Sequence, residues 1–551
     1  MSVACCLVAP PSLAQDSEGR GTDAGDREEP PNPEHRTPTH DEEYRLPLFR
    51  SLREAPKSPV RREEVEDAPT SVALSLEETL VSALARNLDL RVESFGPELR
   101  EADVLAARSK FDPVGRWSIS RARSIQQGSS QLAGAQSVQN VTDQMTTGVK
   151  KLGAVGTTYD FSINGTRTAT NNSFANRRVQ YETNATLLVT QPLLRNLGFD
   201  VQRADTNLAL AAKDQSYFKF QEVAQDVLAR TEKAYWDLVF AREDLAIQED
   251  SLRLAEEALQ ISQIKREVGT ASKIDVLDAQ SDVAEARRVL ILARNAVKDA
   301  EDKLKNLFHP RDMNFLWNVT LVPTENLPLE VPRVSGTAID LFESIDHALA
   351  YRPDLLQLRT DVSRQGIEIQ RAKNQLLPKL DVEAKVVLNG LEDSFEQAMD
   401  TTTTADFYQW QAGLALEIPF GNRSALAAYQ RALIGHRQAS ARVERLERQA
   451  ILEVRTAVRA VQSRLEEINA AKSAKFFAKE KWEAEKSRHQ AGERTAFEVN
   501  EFRNDYIKAR SNEVRAFTEY FKAVADLKKA ESSALEELRR KGYQVAPAAS
   551  P

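Results

Sequence analysis

The chain is written twice. With Asp89-Leu90 laid on Asp354-Leu355, one offset of 265 residues also superposes Ala83-Leu84 on Ala348-Leu349, Ala107 on Ala372 and Pro113 on Pro378. Further along, the offset falls to 227 at Pro192 and Pro419, then to 223 at Gly269 and Gly492. Each copy therefore carries the same parts in the same order with different loop lengths. Such a duplication makes the fold pseudo-symmetric, and an element left incomplete in one copy must be completed by the other or by another chain.

In 551 residues there are only 21 Gly and 22 Pro against 28% charged residues, which points to long helices and away from a compact multidomain enzyme. The two cysteines, Cys5 and Cys6, stand at the start, so the body offers neither a disulfide nor a thiolate metal site. His35, His40, His309, His347, His436 and His489 show no ligand spacing. No nucleophile–base set or phosphate loop stands out, so neither an enzyme nor a cofactor is expected. Residues 16–67 hold 15 acidic and 9 basic residues, a net of −6 within a total of −8, leaving −2 for the rest and no basic nucleic-acid face.

Residues 1–14, with a short apolar run and Ser12-Leu13-Ala14, read as an export signal truncated at its basic end rather than an ordinary unstructured start. The acidic, Pro-rich stretch 15–70 reads as a disordered linker and 539–551 as a flexible tail. Between them lie two structural repeats, 71–308 and 340–538, joined by a non-repeating segment 309–339. Ser75 with Glu78 forms a capping-box signature for a helix over about 76–110, which Phe111-Asp112-Pro113 ends. A β segment over 114–191, a long helix over 201–268 and a helix over 273–308 complete the first repeat. The second repeats the order: a helix over about 340–376, a β segment over 380–419, a long helix over 424–490 and a helix over 495–538.

No run approaches the roughly 18 apolar residues of a spanning helix, so only strands could cross a bilayer. Tyr408, Trp410, Ala412, Leu414, Leu416 and Ile418 alternate with Gln409, Gln411, Gly413, Ala415 and Glu417, and Leu380–Leu388 alternates likewise. Strands of about 10 residues with one apolar face suit a tilted membrane barrel. Trp117, Tyr408 and Trp410 near strand ends suit an interfacial girdle. One chain supplies about four strands, whereas a membrane barrel needs at least about eight and leaves no edge in lipid, so the chain should oligomerise. The interval from Pro113 to Pro192 is 79 residues against 41 from Pro378 to Pro419, so residues around 124–180 are expected to form an enlarged, partly β, surface loop or an extra hairpin.

In the helix over 273–308, Val283, Ala286, Leu290, Ala293, Val297, Ala300, Leu304 and Leu307 follow a 3, 4 spacing, an Ala-rich coiled-coil seam. The long helix would span about 100 Å and each short one about half, so two short helices laid end to end match one long one. Each copy is thus a rod two helices wide, with strands at one end and a helical hairpin at the other.

In these features the chain resembles the TolC family of outer-membrane efflux and secretion channels, over about 71–538. The resemblance rests on Val189-Thr-Gln-Pro-Leu-Leu194, Glu417-Ile-Pro-Phe-Gly421, Gly269-Thr-Ala-Ser-Lys-Ile-Asp-Val-Leu-Asp-Ala-Gln280 and Gly492-Glu-Arg-Thr-Ala-Phe-Glu-Val499. It implies a mainly α fold with a β-barrel portion: a homotrimer whose twelve-stranded barrel in outer-membrane lipid continues into a periplasmic helical coiled-coil barrel. It implies a passive exit duct for a tripartite efflux pump or type I secretion system, partnered by a periplasmic adaptor and an inner-membrane pump. By position, Asp275 and Arg494 would form the tip latch, Glu498 and Glu501 the pore constriction, and Gly269 and Gly492 the hairpin turns that meet the adaptor. A ring of three glutamates would favour cations and raise the carboxyl pKa by like-charge repulsion. The competing expectation is a soluble or periplasmic coiled-coil scaffold or adaptor protein.

Overall fold

The computed structural model describes residues 71–127, 135, 137–308, 317, 319–325, 340–491 and 493–541. The export signal and linker expected over 1–70, most of the 309–339 segment, Gly492 and the tail beyond 541 lie outside the described residues.

In chain order, β1 (Ser71–Leu74), α1 (Leu76–Arg86) and α2 (Leu88–Arg108) lead into four strands: β2 (Val114–Gln127), β3 (Ser137–Leu152), β4 (Thr158–Thr170) and β5 (Val179–Pro192). The long α3 (Ala204–Glu267) and shorter α4 (Lys273–Phe308) follow. After β6 (Thr320–Pro323) come α5 (Leu341–Tyr351), α6 (Pro353–Asn374), β7 (Lys379–Glu392), α7 (Phe395–Thr404) and β8 (Tyr408–Glu417). The chain closes with α8 (Arg423–Gln490), α9 (Ala496–Glu531) and α10 (Ala534–Arg540).

Helix lengths set the frame. The 64 residues of α3 and 68 of α8 span about 96 and 102 Å, while the 36 residues each of α4 and α9 span about 54 Å. Short helices α2 and α4 flank one side of α3, α6 and α9 flank the other, and α8 packs beyond them. Two apolar clusters hold this slab. One joins Ala83, Tyr235, Trp236, Val297, Ala300 and Leu304; the other joins Ala348, Val454, Val458, Ile468, Ala516 and Tyr520. Ala83 and Ala348 are the same position of the repeat, 265 residues apart. Glu513 of α9 is paired with Lys475 of α8 at 2.6 Å.

The helix expected over 76–110 is two helices. At Asn87 the backbone is extended (φ −62°, ψ 130°); its side chain caps α2 by accepting from Leu90 N and donates to Leu307 O at 2.7 Å. The second copy breaks at the equivalent Arg352 (φ −63°, ψ 122°), because proline at the next position disfavours a helical conformation before it. Arg352 pairs there with Asp354 and with Glu453 of α8, each at 2.7 Å. Just before α1, β1 pairs in parallel with β6 and is fastened to α3 where Tyr235 donates to Leu74 O at 3.2 Å.

Six strands form one antiparallel sheet in the order β2-β3-β4-β5-β7-β8: about four were expected, and the region around 124–180 takes the form of an extra hairpin within the sheet and not of a surface loop. The first repeat contributes four and the second two, so the duplication is unequal at this end. Strand β3 escapes a sequence reading because Thr142, Gln144 and Thr146 alternate with a face that itself holds Asp143 and Thr147, blurring the period of 2.

Candidate membrane belt and helical tip

The sheet has two chemically distinct faces, since partners across an antiparallel ladder point the same way. One face carries the rungs Gly115–Val149–Phe161–Leu187–Val386–Trp410 and Trp117–Thr147–Ile163–Ala185–Leu388–Tyr408. The other carries Ser118–Thr146–Asn164–Asn184–Asn389 and Lys150–Asp160–Leu188–Lys385–Gln411. Large apolar side chains on the first face are open to solvent, with Trp117 66%, Tyr408 66%, Trp410 69% and Leu414 72% exposed. Burying them at about 25 cal/mol per Å² is the drive that an apolar medium would satisfy.

Along β3 the apolar band ends above Lys151, whereas on β8 it continues to Leu416, two same-face rungs further down. That drift of roughly 13–17 Å across the sheet is what tilted strands produce when the band itself is level. At the far end the band stops at an ion-paired rung, where Asp143 meets both Arg121 and Arg167 at 3.1 Å, and Arg177 meets Glu392 at 3.2 Å. Here α7 lies on the apolar face. Thr183 Oγ1 donates to Ala398 O at 2.8 Å, and the helix fits because Gly390 and Gly165 lack side chains: a Cβ on Gly390 would stand 2.0 Å from Ala398 O.

At the opposite end, α3 turns into α4 through Gly269, which holds φ +83° and lets Gly269 N donate to Arg266 O and Thr270 N to Lys265 O. Asp275 sits one turn on. It accepts from Ser272 N at 2.8 Å while Ser272 Oγ accepts from Asp275 N, a capping box that starts α4.

In the second hairpin Thr495 and Glu498 form the same box for α9. Arg494 bridges Glu485 at 3.0 Å and Glu498 at 2.8 Å. Within one chain, then, Asp275 and Arg494 are not brought together; each is engaged inside its own hairpin. Nor does Glu498 behave as an unscreened carboxylate. Hydrogen bonds from Thr495, backbone first, and the charge of Arg494 hold its pKa below the ordinary glutamate value within one chain. Glu501 is exposed on α9.

A buried ion pair between the two hairpins lies further from the tip and was not anticipated. Arg503 of α9 is almost fully buried and reaches Asp282 of α4 at 3.4 Å. Burial lowers the Arg503 pKa and raises that of Asp282, outweighing their mutual attraction, and Arg503 Nε and Nη1 have no hydrogen-bond partner. A polar cleft of about 500 Å³ opens beside them, lined by Asp244, Gln248, Arg503, Lys508 and Ser511 among others. Above it, α3 and α9 are laced by Asp250–Arg510 at 2.8 Å, Asp237–Lys522, Lys233–Asp526 and Asp226–Lys529 at 2.6 Å. Nearer the tip, Lys265 Nζ lies 3.0 Å from His489 Nε2, and His489 Nδ1 lies 2.7 Å from Arg494 O.

Among the described residues no helix is long and apolar enough to cross a membrane, and no group of His, Cys, Asp or Glu is placed to hold a metal. A family model described as outer membrane efflux protein matches residues 154–308 and 344–531. The alkaline protease secretion protein AprF of Pseudomonas aeruginosa is 23% identical over 276 residues, 48% of this chain and 52% of that protein; the chain thus spans about half the length of this curated relative. In structure, a membrane protein from Pseudomonas aeruginosa matches with TM-score 0.61 at 18% identity, over 83% of this chain and 93% of that one. The Campylobacter jejuni CmeC outer membrane channel matches with TM-score 0.59 at 16% identity, over 84% and 89%. With both halves of the duplicated unit matched, the chain belongs to the outer membrane efflux protein family.

Proposed function

We propose that three copies of this chain assemble into an outer-membrane exit duct for an efflux pump or type I secretion machine, working with a periplasmic adaptor and an inner-membrane pump. The observation that carries this reading is the two-faced sheet: an exposed apolar band on one side, polar rungs on the other, and unpaired edges at β2 and β8. In lipid, only closure with other copies removes those edges. The helical slab is unfinished in the same sense. Val92, Leu99 and Ile291 are exposed on the α2/α4 flank, and Ile434, Leu452 and Phe477 on α8, so one flank of a copy can cover the other flank of the next and form a ring. A soluble scaffold has no use for the apolar band.

In this reading the repeats 71–308 and 340–538 form the wall, and 309–339 is the segment between the repeats. The tip is the gate. Asp282–Arg503, with the α3–α9 pairs above it, supports a closed arrangement of the two hairpins. Asp275 and Arg494 become a latch between copies only by exchanging their present partners. Glu501, with Glu498 behind its cap, sets the charge of the constriction, while the turns at Gly269 and Gly492 meet the adaptor.

The test is fractionation followed by reconstitution of the full chain. Recovery in the outer membrane as a detergent-extracted trimer that conducts ions in planar bilayers is expected. A water-soluble monomer without conductance would sink the proposal.

A further inference from the structure

We propose that the assembled barrel has eighteen strands: six from each of three copies, the extra six coming from the inserted pair in the first repeat. This rests on the three-copy duct proposed above. The added strands are wall and not loop. β3 pairs along its length with β2 and β4, and β4 with β5, without a bulge. On the apolar face they present Val149, Phe161 and Ile163, in rungs that continue through Leu187, Val386 and Trp410 and through Ala185, Leu388 and Tyr408. Their turn at the helical end is anchored: Gly198 N donates to Val155 O at 3.2 Å, and Gly156, at φ +102°, leaves no room for a Cβ beside Asn196 O and Gln202.

One further observation agrees. Because six is even, β8 runs antiparallel to β2, so β8 of one copy can pair with β2 of the next by the same ladder that joins every other neighbour. Barrel diameter grows roughly linearly with strand number, so eighteen strands give a lumen about 1.5-fold wider, and about 2.2-fold larger in cross-section, than twelve. Passage of a bulky cargo such as a polypeptide is then limited at the helical tip and not in the membrane.

A single spin label distinguishes the cases. In full-length protein with Cys5→Ser and Cys6→Ser, Leu414→Cys places one label per copy on the apolar face, and pulsed dipolar spectroscopy on the detergent-solubilised assembly reads the distance between copies. With strands about 4.8 Å apart, tilted 40–45°, and a label arm of roughly 6 Å, three-fold symmetry predicts about 44 Å for eighteen strands and about 33 Å for twelve. A distance near 33 Å overturns the inference and leaves the trimeric duct standing. Absence of any coupling, with a monomeric hydrodynamic size, overturns both. Should the Leu414 label hinder assembly, Tyr408→Cys on the same strand and face gives the same ratio of about 1.3 between the two outcomes.

Discussion

Trp117 and Tyr408 occupy one rung of the sheet, at its two free edges, with Thr147, Ile163, Ala185 and Leu388 between them. In a barrel tilted by about 40°, five strand spacings along a rung climb roughly 15 Å, so the two aromatics sit at different heights, Tyr408 nearer the distal rim and Trp117 nearer the helices.

Position along β8 should matter less than face. Leu414→Arg places a cation in the centre of the apolar band and should cost about 2–4 kcal/mol, while Gln411→Arg on the polar face should be close to neutral. The fraction of heat-resistant oligomer recovered from outer membranes checks this; equal losses in the two variants would mean that the band does not face lipid.

Thr495→Ala removes the α9 cap, at a cost of about 1 kcal/mol. Amide exchange in the first turn of α9 should accelerate about 5-fold, the factor that corresponds to roughly 1 kcal/mol, with no change in the second half of the helix. Because the same hydroxyl binds the Glu498 carboxylate, the Glu498 pKa should rise toward its ordinary value, measurable by carboxyl NMR.

Loss of Arg503 leaves Asp282 facing its cavity alone. Arg503→Ala should destabilise the tip by about 1–3 kcal/mol, below the range for fully buried pairs because Asp282 keeps some solvent access, and raise bilayer conductance several-fold. Adding Asp282→Asn should change little more, since the two side chains act as one contact.

At the rim, Gly390→Ala drives a methyl into the Ala398 carbonyl and should displace α7, costing about 1–3 kcal/mol. Surface protease should then cleave near Phe395–Thr404. Gly413→Ala, with nothing within 4 Å of its Cβ position, is the matched control.

Glu232 supplies a pH dependence. Burial raises its pKa above the ordinary glutamate value, against the opposing charge of Lys528 at 3.6 Å. A carboxyl whose pKa is higher folded than unfolded contributes stability below the unfolded pKa and loses it as pH climbs to the folded one. Glu232→Gln should therefore raise the melting temperature at pH 8 and leave it nearly unchanged at pH 4; the opposite order would show that Lys528 dominates the site.

Much of the slab was legible in the sequence, because Val283, Leu290, Ala293, Val297 and Leu304 repeat at a spacing that only a helix seam explains, and all five are buried. β8 was legible for the same kind of reason. The inserted pair was legible only as extra length, a loop or extra hairpin over about 124–180; that it joins the wall was not, since polar residues on one face and Thr147, Gly165 and Thr183 within the band dilute the alternation. Ser272-x-x-Asp275 and Thr495-x-x-Glu498 carry the capping pattern openly, and the rule applied at Ser75 would have marked Asp275 and Glu498 as caps. No comparable pattern could have found Asp282–Arg503: the partners are 221 residues apart, and their meeting depends on how two hairpins register in space.

The breaks at Asn87 and Arg352 fall at one level of columns that alternate with the unbroken α3 and α8. Like masonry laid in staggered bond, such a wall resists buckling while its lower courses can still slip. In the duct proposed above, torque applied to α4 and α9 at the tip would be taken up at that joint before it reached the sheet.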